Sequence, residues 1–134
     1  MALRVGTDLV AVETVREALD THGEHYLQRV YAADEVRDCS TPTGVDAERL
    51  AGRFAAKEAA LKVLRPDDRG ISWTTIRVHR DPAGWVELEL SGEAAELAAE
   101  AGLDGFALSI SHEGGFASAV VIARTASDPS APIR

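Results

Sequence analysis

Hydrophobic and polar positions alternate at the start of the chain, with Leu3, Val5, Thr7 and Leu9 on one side and Arg4, Gly6 and Asp8 on the other. A period of two is that of a half-buried strand, and it sets Asp8 near the strand's end. From Glu13 to about Leu19 the period becomes helical, and EHYLQRVY and AADEVRDC read as one or two further short helices. STPTG, Ser40 to Gly44, is a cluster of breakers and predicts a loop. The strongest helix is DAERLAGRFAAKEAALKVL, with Asp46 in the N-cap position and Pro66 stopping it just after Arg65. After the loop RPDDRG, the segments SWTTIRVHR and WVELEL read as strands joined by the turn residues DPAG. Ser91 is placed to cap a helix over GEAAELAAEAG, ended by Gly102. FALSISH and FASAVVIA are strands joined through EGG. Strand, helices, long helix, hairpin, helix, hairpin is an α+β order, in which an antiparallel sheet packs against a long central helix and shorter helices.

The chain's 134 residues suit one domain, expected over 1–124. The polar, proline-containing segment 125–134 is expected to be a disordered tail. With aromatics at 5%, the core must come from Leu, Val, Ile and Ala. A net charge of -8 without a basic, aromatic-laced stripe argues against nucleic acid as a partner. No stretch approaches the length needed to cross a bilayer, so a cytoplasmic, membrane-free protein is expected. Cys39 is the single cysteine, which excludes an intrachain disulfide and a cysteine-rich metal site.

The long helix carries the first chemical signal. At 100° per residue, Leu50, Phe54, Leu61 and Leu64 share one arc, and Lys57 falls inside it, with Glu58 at its border and Lys62 one step beyond. Ala51, Ala55, Ala56, Ala59 and Ala60 let other segments approach closely, so more than one face is expected to be buried. By themselves, Glu58 and Lys62 read as a surface i,i+4 pair, Lys57 as a lysine snorkelling outward, Asp8 as a helix N-cap and His112 as a turn histidine. The alternative is a site where a metal and a polyanion meet. Asp8 and Glu58 would then supply two hard oxygen ligands, which suits Mg²⁺ when phosphates and waters complete its shell. Ser111, His112 and Glu113 do not make a nucleophilic triad, because neighbours on a strand point to opposite faces.

Three blocks, VGTDLVAVETV (Val5 to Val15), RFAAKEAALKVL (Arg53 to Leu64) and LSISHEGGFASAVVIA (Leu108 to Ala123), with YLQRVYAADE and ISWTTIRV between them, give the chain its likeness. It resembles the short, single-domain phosphopantetheinyl transferases of the holo-acyl-carrier-protein synthase type. The resemblance implies transfer of 4'-phosphopantetheine from coenzyme A to a serine of an apo acyl carrier protein, with release of adenosine 3',5'-bisphosphate. It implies Asp8 and Glu58 as Mg²⁺ ligands, and Lys62 as the lysine that contacts the phosphates and stabilises the leaving group. His112 would contact coenzyme A, and Arg53 and Lys57 would lie near that cofactor. Glu58 is the first candidate to take the serine proton, with Glu113 second. The resemblance also implies a homotrimer with sites at subunit interfaces, His112 coming from a neighbouring subunit.

Two departures stand out. Where the family commonly continues with a Gly-Thr-Gly-like loop, this chain has RPDDRG, in which Arg65 and Arg69 would replace backbone contacts with charge. The first helix, which in the family presents basic residues to the carrier, here offers Arg16 among Glu13, Glu17 and Asp20, with Arg29 and Arg37 as further cations. The alternative function is a non-catalytic trimer of the same fold that binds coenzyme A or a carrier.

Overall fold

The computed structural model describes residues 2–126; most of the tail expected at 125–134 lies outside them. The chain order is β1 (Leu3–Ala11), α1 (Val12–His22), α2 (Glu24–Val30), α3 (Ala33–Asp38), β2 (Ser40–Thr41), β3 (Gly44–Val45), α4 (Ala47–Leu64), a 3-10 turn (Trp73–Thr75), β4 (Ile76–Arg80), β5 (Val86–Leu90), α5 (Gly92–Glu100), β6 (Leu103–Glu113) and β7 (Phe116–Thr125). The antiparallel sheet runs β1-β7-β6, with β2-β3 and β4-β5 as separate hairpins. The α+β expectation holds. Two local expectations are corrected: STPTG closes as a small β2-β3 ladder rather than an open loop, and SWTT forms the 3-10 turn, leaving β4 to begin at Ile76.

Helix α4 is the axle of the molecule. The Asp46 side chain accepts the Glu48 amide at 2.9 Å and opens it. At the other end Arg65 turns left-handed, φ 53°, and donates its amide to the Leu61 carbonyl before Pro66 stops the helix. Between these ends Ala51, Ala55, Ala56, Ala59 and Ala60 are all fully buried, so the helix is enclosed on several sides. Small residues make this possible. Against the sheet, a Cβ at Gly6 would lie 2.1 Å from the Ala59 carbonyl oxygen, so only glycine lets β1 approach this closely.

The alternation in β1 is real, but its buried face carries few large apolar side chains. Gly6 and Val10 are buried and Asp8 is partly so, on the side that meets α4, whereas Leu3, Val5 and Leu9 are 64–66% exposed. Across the register Val5 pairs with Ile122, Thr7 with Val120 and Leu9 with Ser118. Phe116 and Ile122 extend the same open face. Among the described residues nothing covers this apolar sheet surface. The other face of β7, Ala117, Ala119, Val121 and Ala123, is buried with the helix.

Candidate active site

Asp8 comes from β1, and Glu58 and Lys62 from one flank of α4, where the close approach at Gly6 brings strand and helix together. The expected Glu58–Lys62 pair is not what forms. Lys62 Nζ reaches instead to the Thr7 carbonyl at 2.6 Å and to Asp8 Oδ1 at 3.4 Å. Burial raises the Glu58 pKa, the nearby Asp8 carboxylate raises it further, and Lys62 partly opposes both. Two carboxylates that repel each other beside one ammonium form a hard-oxygen donor pair for which a divalent cation is the natural counterion. No group of three or more candidate ligand side chains occurs among the described residues. Two carboxylates alone fit Mg²⁺, which keeps waters and takes phosphate oxygens for the rest of its octahedron.

A second cluster gathers at the N-terminal half of α4. Arg49, Gly52 and Arg53 from the helix, Arg80, Trp85 and Val86 from the β4-β5 hairpin, and Ile110 and His112 from β6 line a cleft of about 290 Å³. His112 Nε2 lies 3.0 Å from the Glu48 carbonyl oxygen. A carbonyl can only accept, so Nε2 carries the hydrogen and Nδ1 remains for another partner. The ring rests on Gly52, where a Cβ would come within 2.8 Å of Nε2. Arg53 is 3% exposed, and its Nε and Nη2 have no hydrogen-bond partner; the nearest anion, Asp38, is 3.7 Å away. Both atoms are closed to solvent, and Nη2 faces the Asp38 carboxylate.

The two clusters do not converge within one chain. Asp8 pairs with Ala119, which pairs with Ile110, so His112 stands two strands across and two residues further along. Strand spacing and rise put the two Cα atoms roughly 12 Å apart.

Lys57 is the clear correction. Expected either to snorkel or to lie near the cofactor, it is fully buried, with its ammonium bonded to Glu35 Oε1 at 2.8 Å, to the Trp73 carbonyl at 3.1 Å and to the Ile76 carbonyl. No donor is left for a ligand. Burial lowers its pKa, against the pull of Glu35. Arg69, expected to supply charge to a phosphate, is taken by a bidentate pair with Glu100 at 3.2 and 2.7 Å. Ser111 and His112 do lie on opposite faces: Ser111 sits opposite Ser118 on the open side, and His112 against the helix. Glu113, opposite Phe116 at the β6-β7 tip, is far from Glu58. The sequence reading missed Arg49, Arg80 and Trp85. Arg49 stands one helical turn before Arg53, which was legible, but the approach of the β4-β5 hairpin to that turn was not.

A sequence model described as the 4'-phosphopantetheinyl transferase superfamily matches residues 4–121. A holo-[acyl-carrier-protein] synthase of Desulforudis audaxviator is 40% identical over 123 residues, spanning 92% of this chain and 93% of its own. The Chronobacterium ammoniagenes ACPS in complex with CoA superposes with a TM-score of 0.79 at 34% identity, covering 95% of this chain and all of the other. A holo-(acyl-carrier-protein) synthase from Bacillus anthracis, in complex with CoA (3',5'-ADP), gives 0.66 at 26% identity, covering 91% and 96%.

Proposed function

This chain belongs to the 4'-phosphopantetheinyl transferase superfamily, and from that premise we propose that it moves the 4'-phosphopantetheine of coenzyme A onto a serine of an apo acyl carrier protein, releasing adenosine 3',5'-bisphosphate. The observation that carries this is the meeting of Asp8, Glu58 and Lys62 across β1 and α4. In this reading Asp8 and Glu58 hold Mg²⁺. When bound, the ion draws off the charge that builds on the pyrophosphate oxygens as the anhydride opens.

The chain's own groups do the rest. Lys62 is 55% exposed in its side chain and swings from Asp8 to the phosphate that leaves. The carrier serine Oγ attacks the β-phosphorus, the P–O bond to adenosine 3',5'-bisphosphate breaks, and the serine proton passes to Glu58. Arg53 takes the 3'-phosphate together with His112, Arg49 and Arg80, and holds the nucleotide end still. Phosphoryl transfer depends mainly on such positioning and field.

In this reading the arginine cleft that holds the nucleotide and the Asp8–Glu58 pair that holds the pyrophosphate come from different subunits. The uncovered apolar sheet face supports assembly, and a homotrimer with shared sites is the form proposed. For the carrier, a hollow of about 450 Å³ lined by Tyr26, Val30, Phe54 and Trp73, with His22, His25 and Arg29 at its rim, suits an amphipathic acidic helix. Arg29 carries forward from the expected docking cations, whereas Arg16 is paired with Glu13. No described helix is long and apolar enough to cross a membrane, and a cytoplasmic location belongs to this reading.

The test is incubation with coenzyme A, Mg²⁺ and a panel of apo carriers from fatty-acid and polyketide systems, followed by intact mass. Gain of one phosphopantetheine on a carrier supports the reading. Coenzyme A binding without gain on any carrier would turn it toward the non-catalytic trimer.

A further inference from the structure

A Cβ placed on Gly6 would stand 2.1 Å from the Ala59 carbonyl oxygen, 3.1 Å from the Ala59 carbonyl carbon and 3.1 Å from Lys62 Cβ. These atoms flank Glu58: Ala59 follows it in the chain, and Lys62 lies one helical turn beyond. Gly6 therefore touches α4 beside the residues that form the candidate metal and phosphate site. On the strand it shares the helix-facing side with Asp8, two residues along. One backbone contact fixes how far the carboxylate of β1 stands from the carboxylate and the ammonium of α4.

The two sides of this contact are unequally free to move. Helix α4 is enclosed, with Ala55, Ala56, Ala59, Ala60 and Val63 wholly buried. Among the described strands β1 is at the edge of its sheet, hydrogen-bonded to β7 alone. A side chain at position 6 would meet backbone first, so the strand would retreat, by about 1 Å before carbon and oxygen reach an ordinary separation. Asp8 would retreat with it, and so would the Thr7 carbonyl, which accepts from Lys62 Nζ at 2.6 Å. A shift of that size separates two kinds of cation. Mg²⁺ demands near-ideal octahedral geometry at about 2.0–2.1 Å, whereas Ca²⁺ accepts about 2.3–2.6 Å and a variable shell.

We propose that Gly6 is a positioning residue that selects the cation: by letting β1 lie against α4 it sets a span between Asp8 and Glu58 that suits Mg²⁺ and disfavours the larger Ca²⁺. The inference rests on the reading that Asp8 and Glu58 hold a divalent ion, and adds what in the fold decides which ion. Gly6 supplies no ligand and acts only through the two carboxylates.

The test is the melting temperature of the metal-free chain against the concentration of MgCl2 or CaCl2, a readout independent of transfer. The wild type is expected to respond to Mg²⁺ at lower concentration than to Ca²⁺. Gly6→Ala is expected to raise the Mg²⁺ midpoint at least about tenfold and the Ca²⁺ midpoint less than about threefold. Asp8→Glu added to Gly6→Ala lengthens the carboxylate by one methylene, spans the retreat and recovers most of the Mg²⁺ response; a glycine needed only for folding would show no such rescue. An unshifted Mg²⁺ midpoint in Gly6→Ala, an equal rise for both ions, or no rescue by Asp8→Glu overturns the proposal and leaves the metal pair standing. Should Gly6→Ala not fold, Asp8→Glu alone decides. It keeps the charge and both oxygens but alters the span, so the Mg²⁺ midpoint is expected to rise about tenfold, and an unchanged midpoint overturns the proposal. A wild type that melts alike with and without either ion removes the Asp8–Glu58 metal reading, and this inference with it.

Discussion

The ammonium of Lys57 and the carboxylate of Glu35 lie 2.8 Å apart with both side chains wholly cut off from water. Glu35 also accepts the Val78 amide at 3.1 Å and the Ala32 amide at 3.0 Å, while Lys57 donates to the carbonyls of Trp73 and Ile76. One ion pair thus fastens α3, α4 and the start of β4 to each other. It rigidifies the helix from which Glu58 and Arg53 project in directions roughly 140° apart.

Removing one partner strands the other. Lys57→Ala is expected to lose roughly 3–5 kcal/mol of stability, read as a lowered midpoint in urea. The double variant Lys57→Met, Glu35→Leu should recover only part of this, because the Trp73 and Ile76 carbonyls and the Ala32 and Val78 amides lose their partners as well. Full recovery would show that the backbone bonds carry no weight.

Glu58 is strained in the service of its site. A raised folded pKa means that its protonated form stabilises the native state. That contribution is complete below the unfolded value of about 4.3 and is lost as pH rises through the folded value. At neutral pH the ionised group stands uncomfortably beside Asp8. Without divalent metal, Glu58→Gln is therefore expected to unfold slightly later at pH 7, by no more than about 0.5 kcal/mol given its partial exposure. Transfer should fall at least about 100-fold, and the wild-type gain in melting temperature on adding Mg²⁺ should disappear. Transfer at the full rate by this variant would remove Glu58 from the mechanism.

Two dead enzymes should revive each other if sites are shared. Glu58→Gln and His112→Ala are each expected to be crippled alone. Unfolded together and refolded as mixed trimers, they should regain about a quarter of wild-type activity, since that fraction of interfaces pairs an intact Glu58 with an intact His112. No recovery in verified mixed oligomers would put each site within one chain.

Val5 and Leu9 stand on the uncovered sheet face, 64% and 66% exposed. Val5→Lys places a charge opposite Ile122 and is expected to yield monomers by light scattering, with transfer lost and the far-ultraviolet spectrum kept. An unchanged oligomer would mean that another surface assembles the protein.

Arg65 ends α4 in a left-handed conformation that suits glycine. Arg65→Gly is expected to stabilise the chain by about 1 kcal/mol, read by thermal melting. A rise in KM for coenzyme A in the same variant would show that the RPDDRG loop meets phosphate through this side chain; an unchanged KM would leave Arg65 as a cap alone.

The element order and the α4 boundaries were legible because they rest on local information: a period of two or of 3.6, an N-cap at Asp46, a proline at 66. The site was half legible. Asp8, Glu58 and Lys62 come together across β1 and α4, yet Lys62 turns to Asp8 and Thr7 rather than to Glu58, because the close packing at Gly6 puts the strand nearer than the next helical turn. The direction of Lys57 could not be read at all, since its carboxylate partner comes from 22 residues away.

The same division runs through the whole molecule. The sequence by itself determined which residues are helical or extended, that the core is built of small aliphatic side chains, and that charges sit where a helix should be dry. Only the tertiary structure decided which face of β1 is buried, which of the lysines on α4 is satisfied inside, and that Arg49, Arg53, Arg80, Trp85 and His112 share one cleft. Local patterns follow from backbone geometry and are written in every few residues. The partner of a buried charge, and the walls of a cleft, depend on distant segments meeting, and the free energy that chooses between such meetings is that of the packed whole.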